Sequence, residues 1–211
     1  MRYGWFVFAV LLAGFVPAAS CAQDAPNTAA IAARAKDIYS DPLSPGFGNP
    51  NGDVTIVEFY DYQCGYCKLS EPGLERILQE DKNLKVIYKD FPKLGPLSVM
   101  ASRITLAALR QSVEKYFMLH NLLMKQNGRL RDEEMIYQDA ASVGLDVDRL
   151  KKDMNDDAIA TQIQNSIALG KSVGVRVTPS FIVGKHFYPG YATYEQLKQF
   201  VDYERASGQG R

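Results

Sequence analysis

Seven residues at 54–60, VTIVEFY, form the clearest strand pattern in the chain. β-Branched and aromatic residues fill both faces, broken only by Glu58, and Asn51-Gly52-Asp53 supplies the turn signal ahead of them. From Cys64 to Gln79 the pattern becomes helical, with Leu69, Leu74, Ile77 and Leu78 near helical spacing and Pro72 predicting a kink. Leu84–Tyr88 (LKVIY) predicts a second strand. Strand, helix and strand within about 35 residues predict a βαβ unit with a parallel pair.

From Pro96 to about Val173 the pattern is helical throughout. LSVMASRITLAALR comes first, then VEKYFMLHNLLMKQNG with its glycine stop. A third helix opens at Asp132-Glu133-Glu134 and closes at Gly144, and Asp146–Met154 and Asp156–Val173 complete the block. Strand pattern returns at Ser180–Val183 (SFIV), with Gly184-Lys185 as a tight turn and His186-Phe187-Tyr188 as the return strand. Thr193 caps a final helix with Glu195 early in it and Tyr194, Leu197, Phe200 and Val201 on one face. The tail ASGQGR reads as frayed. Upstream, Thr28–Ile38 predicts one short Ala-rich helix, and DPLSPGFGNPNGD reads as a loop or arm. A βαβ unit at one end and a ββα unit at the other combine into an α/β fold, one small sheet flanked by helices with a helical block inserted between its halves.

Residues 1–22, MRYGWFVFAVLLAGFVPAASCA, follow the plan of a secretory signal: a basic residue at Arg2, an apolar run from Trp5 to Val16, and small residues before Gln23-Asp24. The run is short for a membrane span, which needs ~20 residues, so export is favoured over a permanent anchor. Ala18-Ala19-Ser20-Cys21 loosely resembles a lipoprotein cleavage box, but the usual leading Leu is missing, which favours plain cleavage after Ala22. Either way Cys21 is spent on targeting. The mature chain keeps one cysteine pair, Cys64 and Cys67, and export places it in an oxidising compartment. Lys+Arg and Asp+Glu balance at 24 each, which removes any charge argument for nucleic acid.

What Cys64-Gly65-Tyr66-Cys67 does is narrowed by chemistry. Zinc needs about four ligands, and the two histidines are remote from the pair, so no metal is expected. Covalent haem needs a histidine where Lys68 stands. A structural disulfide closing so short a loop would constrain little of the unfolded chain. A redox dithiol remains. Cys64 falls where the strand ends and the helix begins, and unpaired N–H groups with partial positive charge stabilise a thiolate there. That makes Cys64 the attacking sulfur and Cys67, one turn in, the resolving one. Glu58 has two readings: a solvated residue at the sheet edge, or a buried acid with a raised pKa that exchanges protons with Cys67. Thr178-Pro179 has two as well: a trans bond marking a strand start, or a cis bond exposing a backbone edge to an extended substrate.

These features together resemble the thioredoxin superfamily, and within it the DsbA-like branch of exported thiol:disulfide oxidoreductases, with a Com1-like or suppressor-of-copper-sensitivity-like dipeptide. The matching stretches are VTIVEFYDYQCGYCK, YKDFPKLGPLS and GVRVTPSFIVGKHFYPG. The resemblance implies a thioredoxin-like domain at 51–92 and 174–206, a helical domain inserted at 93–173, and an N-terminal arm with a short helix at 23–50. It implies Cys64 as nucleophile, Cys67 as resolving cysteine, the two joined as a disulfide when oxidised, Glu58 as buried acid, and Pro179 as the cis-proline preceded by Thr178. It implies no cofactor. Its substrates would be unfolded or reduced secreted proteins in the periplasm. Its redox partner would be a DsbB-like membrane oxidase, or a DsbD-like reductase if the protein is instead an isomerase or reductase. One departure bears on that choice. Strong oxidases of the branch carry Pro-His between the cysteines, whereas Gly65-Tyr66 looks more like an isomerase dipeptide and predicts a weaker oxidant. The short N-terminal arm favours a monomer. A reading from another class, a non-catalytic peptide-binding module, predicts that Cys64→Ala leaves function intact. A glutathione-transferase-like enzyme would not need Cys67.

Several residues are set aside on pattern alone. His120 reads as a satisfied boundary histidine, at helical spacing from Val113, Tyr116 and Phe117. His186 reads as a solvated turn residue. Tyr62, Tyr66, Phe91 and Tyr188 divide evenly between an apolar rim for substrates and ordinary packing, and Lys151-Lys152-Asp153 reads as a solvated face.

Overall fold

The computed structural model describes residues 25–208, so the segment read as a secretory signal lies outside the described residues. A five-stranded sheet of order β1-β3-β2-β4-β5 forms the centre, with β1 Gly46–Gly48, β2 Val54–Tyr60, β3 Leu84–Asp90, β4 Ser180–Val183 and β5 His186–Pro189. β2 and β3 run parallel, joined by helix α3 (Gly65–Glu80), and the other pairings are antiparallel. The halves of the sheet come from the two ends of the chain, as the pattern predicts. Between them stand α4 (Pro96–Gln111), α5 (Val113–Lys125), α6 (Glu133–Ser142), α7 (Val147–Asp153) and α8 (Asp157–Ser172). Helix α9 (Tyr194–Ala206) closes the fold, with Thr193 and Gln196 forming a reciprocal capping box.

β2 is apolar on both faces because both faces are covered. Val57 and Phe59 pack with Ile31, Ile38, Leu169 and Val173 on one side of the sheet. Val54, Ile56 and Tyr60 join the larger core with Leu74, Leu197 and the remaining inserted helices. The inserted block is therefore not a detached body, since α8 puts Leu169 into the core beneath the sheet.

Two expectations are corrected. The Ala-rich segment is two helices, α1 Ala25–Ala33 and α2 Ala35–Tyr39, interrupted at Arg34 (φ −113°, ψ 13°), which lies outside helical geometry. The Pro/Gly-rich stretch read as a loop contains β1, which pairs with the free edge of β3. Local propensity hides it because its partner lies some 40 residues on, and tertiary pairing overrides a glycine-rich sequence. Gly48 has φ +87°, and a Cβ there would stand 2.3 Å from the Leu84 carbonyl oxygen, so the strand end requires glycine. Phe47 stacks on Phe117 with ring centroids 4.0 Å apart, tying this edge to α5. Helix α3 runs continuously through Pro72.

Candidate active site

β2 delivers the chain to a three-residue loop, Asp61-Tyr62-Gln63, and Cys64 becomes the N-cap of α3. Its backbone is extended (φ −82°, ψ 112°), which leaves its sulfur at the helix tip. The Cys64 N–H donates to the Asp61 carbonyl at 2.9 Å. The buried Asp61 carboxylate accepts from the N–H groups of Gln63 (2.8 Å), Lys93 (2.7 Å) and Leu94 (2.9 Å), fastening the cysteine loop to the loop after β3. The inserted block is fastened to the same place. Gln63 Oε1 accepts from the Leu130 N–H at 2.7 Å, and Lys68 Nζ donates to the carbonyls of Gln126 (3.2 Å) and Gly128 (2.7 Å).

Both thiols are free, and they are unlike. The Cys64 pKa is lowered to about 6, chiefly by a hydrogen bond from the Cys67 thiol. Burial opposes this, while the Thr178 side chain and the N–H groups of Cys67 and Tyr66 add to it. As a neutral thiol Cys64 Sγ donates to the Thr178 carbonyl at 3.1 Å. Cys67 is fully buried, and burial pushes its thiol well up, with the bond to Cys64 and the nearby Glu58 charge adding. The pair thus has one sulfur ready to ionise and one held protonated.

Glu58 is in the middle of the sheet, opposite Tyr88 on β3 and Phe181 on β4. The solvated-edge reading is therefore overturned: the side chain is wholly buried and neither oxygen has a hydrogen-bond partner. Burial first, then the charges of Glu71 and Cys64, hold its pKa well above the carboxylate range. Across the sulfur, the Thr178–Pro179 peptide bond is cis, with Thr178 nearly buried and Val177 46% exposed.

Cys64 opens onto a groove of about 470 Å³ lined by Tyr66, Lys93, Leu94, Val177 and Thr178. A larger groove of about 700 Å³ lies on the other side of the dipeptide, between α3 and the end of α5. Gly65 and Tyr66 border both. A side chain at Gly65 would meet nothing within 4 Å, so the glycine leaves the approach to the sulfur open. Tyr66 is 63% exposed and Leu69 61%.

The other candidate rim residues separate. Tyr62 and Phe91 are core residues, and Tyr188 is half-buried and stacked on Phe200 at 3.7 Å. Only Tyr66 of the four faces the grooves. His120 is not a boundary residue: it is fully buried, with Nδ1 2.9 Å from the Tyr62 hydroxyl and Nε2 3.5 Å from Glu71 Oε2. The pattern could not show this, because its partners lie on α3 and on the loop after β2. His186 is not a free turn residue either. It bonds the buried Glu204 at the other end of the sheet. Sequence reasoning also missed Asp61, Glu71 and Asp90. Burial raises the Asp90 pKa to about 6, against hydrogen bonds from Ser102 and Tyr60. Glu71 carried one usable signal, its place one helical turn after Cys67.

A family model described as a DSBA-like thioredoxin domain matches residues 55–202. Among solved structures, a thioredoxin-like oxidoreductase from Silicibacter pomeroyi is 37% identical with a TM-score of 0.77, covering 81% of this chain and 97% of that one. The thiol-disulfide exchange protein alpha-DsbA2 from Wolbachia pipientis is 31% identical with a TM-score of 0.78, covering 84% and 95%. The catalytic domain of Proteus mirabilis ScsC is 29% identical with a TM-score of 0.77, covering 85% and 98%. In sequence, 156 residues are 27% identical to part of the Na(+)/H(+) antiporter NhaA 1 of Salinispora arenicola, a match over 73% of this chain that spans only 24% of that protein.

Proposed function

This chain belongs to the DSBA-like thioredoxin domain family and is a thiol:disulfide oxidoreductase, and from that premise we propose that it introduces disulfides into secreted proteins in the periplasm. The observation that carries the proposal is the inequality of the two thiols, Cys64 lowered to about 6 and Cys67 raised. At pH 7 Cys64 is a good leaving group and Cys67 is held protonated, which is the division of labour a vectorial exchange needs.

The oxidised protein carries the Cys64–Cys67 disulfide. A substrate thiolate attacks Cys64, a new sulfur–sulfur bond forms, and Cys67 leaves with the electron pair and takes a proton from Glu58. The substrate's second thiolate then attacks its own sulfur in the mixed disulfide, and Cys64 leaves as a thiolate held by the α3 N–H groups. The substrate loses two electrons and the cysteine pair gains them. A membrane oxidase of DsbB type would remove them again. Thr178 and Val177 would line an extended substrate segment beside the sulfur, and Tyr66 would pack on its side chains.

A second reading, isomerase or reductase kept reduced by a DsbD-like partner, is favoured by one observation. A Cys64 pKa of about 6 stabilises the reduced form less than the pKa of about 3.5 found in the strongest oxidases. Acid trapping and thiol labelling of the protein in its native cells separates the two. A mainly oxidised pair supports the oxidase, and a mainly reduced pair overturns it in favour of the second reading.

A further inference from the structure

The groove beside Cys64 continues past Thr178. A second cavity of about 470 Å³ is lined by Phe91, Ile167, Lys171, Val175 and Arg176, and Lys93 lines both. The charged residues of this double groove are all cations, Lys93 and Arg129 beside Cys64 and Lys171 and Arg176 further on. All four are exposed, and among the described residues none of them pairs with a carboxylate. Elsewhere cations are neutralised: Lys125 pairs with Glu75, Arg149 with Asp153, Lys198 with Asp202, and Arg205 with Asp53 and Asp81. Asp61 fastens the loop that carries Lys93, but it is buried and both its oxygens accept from backbone N–H groups. Basic and acidic residues balance at 24 each over the whole chain, so the positive excess is a local property of this groove. The 700 Å³ groove across the dipeptide lacks it, since Glu71 lines it and its Lys125 is already paired.

Two of these cations are held in place without being neutralised. Lys93 Nζ donates to the Arg176 carbonyl, and Arg176 Nη1 donates to the carbonyls of Lys171 and Val175 at 3.1 Å each. A carbonyl is a dipole and not a counter-charge, so both side chains keep their full charge, and Arg176 keeps the donors on Nη2 and Nε for a carboxylate. Between the cations lies an apolar floor of buried Phe91 and Val175 and half-buried Ile167, with Val177 46% exposed at the junction. We infer that this double groove selects substrates by charge: it takes extended reduced segments with Asp or Glu flanking the cysteine and an apolar side chain for the floor. The inference rests on the exchange reading above and gives that reading a substrate class. An extended segment advances about 3.3 Å per residue, so one whose cysteine meets Cys64 passes Lys93 and Arg129 first and Lys171 and Arg176 beyond. Opposite charge speeds the encounter and fixes the register of the segment against the sulfur.

The test compares two reduced two-cysteine peptides of one length, with Glu flanking the cysteines in one and Lys in the other, mixed with the oxidised protein. Each rate is divided by the same peptide's rate with bis(2-hydroxyethyl) disulfide, an uncharged oxidant, which removes differences in thiol reactivity. The corrected rate should favour the acidic peptide by at least about tenfold at low salt, and the gap should close to under about threefold near 0.5 M salt. Equal corrected rates, or a gap unchanged by salt, overturn the proposal. Lys171→Glu with Arg129→Glu reverses two cations whose side chains make no hydrogen bond among the described residues, and should abolish the preference. Lys152→Glu with Lys185→Glu makes the same charge change on α7 and at the turn after β4, and should preserve it. Equal loss in both double variants assigns the effect to net charge and overturns the groove. Sedimentation with phosphatidylglycerol vesicles, with no preference between the peptides, assigns the cations to a membrane surface and overturns it as well. If the wild-type protein oxidises neither peptide, the exchange reading fails instead. Fluorescence anisotropy with labelled cysteine-to-serine versions of both peptides then decides the groove: about tenfold tighter binding of the acidic one upholds charge selection, and equal binding refutes it.

Discussion

Replacing Cys67 by alanine removes the largest cause of the low Cys64 pKa while leaving the helix N–H groups and Thr178 in place. A hydrogen bond to a charged group contributes about 1.5–3 kcal/mol, and one pKa unit corresponds to about 1.4 kcal/mol, so the loss amounts to about one to two units. Cys64 is 6% exposed, and water entering the vacated space will replace part of the bond, which favours the lower end. With a pKa of about 6, Cys64 is about 90% thiolate at pH 7, against about 1% for a thiol at the ordinary 9.0. The variant should fall to about 50%. Thiolate absorbance near 240 nm, followed from pH 4 to 10, gives the midpoint directly. Alkylation rates are a poorer probe, because a more basic thiolate is intrinsically more nucleophilic and offsets much of the lost fraction. A midpoint that stays near 6 in Cys67→Ala would refute the assignment of Cys67 as the main stabiliser and leave the helix terminus as the principal cause.

Glu58→Gln should stabilise the protein toward neutral and alkaline pH. The folded state holds the Glu58 proton more tightly than the unfolded chain does, so this group's contribution is fully present below the unfolded carboxyl pKa and is lost as pH rises through the folded value. Urea denaturation at pH 4 and pH 8 checks the sign, and an equal difference at both would contradict it. Asp61→Ala leaves three loop N–H groups without their acceptor and should cost about 2–3 kcal/mol in the same assay; a change under half a kcal/mol would show that the fastening does not hold the loops. Tyr66→His at an exposed site should alter stability by less than about 0.5 kcal/mol yet lower the Cys64 midpoint by bringing a cation beside the thiolate. An unmoved midpoint and glutathione-equilibrium potential would contradict this account of the dipeptide.

The parts of the fold legible in the sequence are those whose signal is local. β2 carries both-face apolarity because it is covered on both sides, and the caps at Asp132, Asp146, Asp156 and Thr193 announce their helices. Cys64 and Cys67 were legible for the same reason, as a spaced pair at a strand-to-helix junction. What depended on distant partners was hidden. β1 exists through its pairing with β3, and the burial of His120 depends on α3 and on the loop after β2. Glu58 was ambiguous because its strand position does not say whether a neighbour stands on each side; β3 and β4 do. The aromatic residues left evenly divided between rim and packing show the same limit, since Tyr62 and Tyr66 lie four residues apart, one buried in the core and the other exposed at the grooves.

The central claim is that Cys64 and Cys67 pass a disulfide to a substrate as a unit. Mixing the oxidised protein with an excess of a reduced peptide carrying two cysteines, then counting disulfides by mass after acid quench, tests it most directly. The account predicts one peptide disulfide formed for each Cys64–Cys67 pair reduced, no transfer by Cys64→Ala, and no catalytic turnover by Cys67→Ala. A wild-type protein that leaves the peptide reduced, or a Cys67→Ala variant that still turns over, would contradict it.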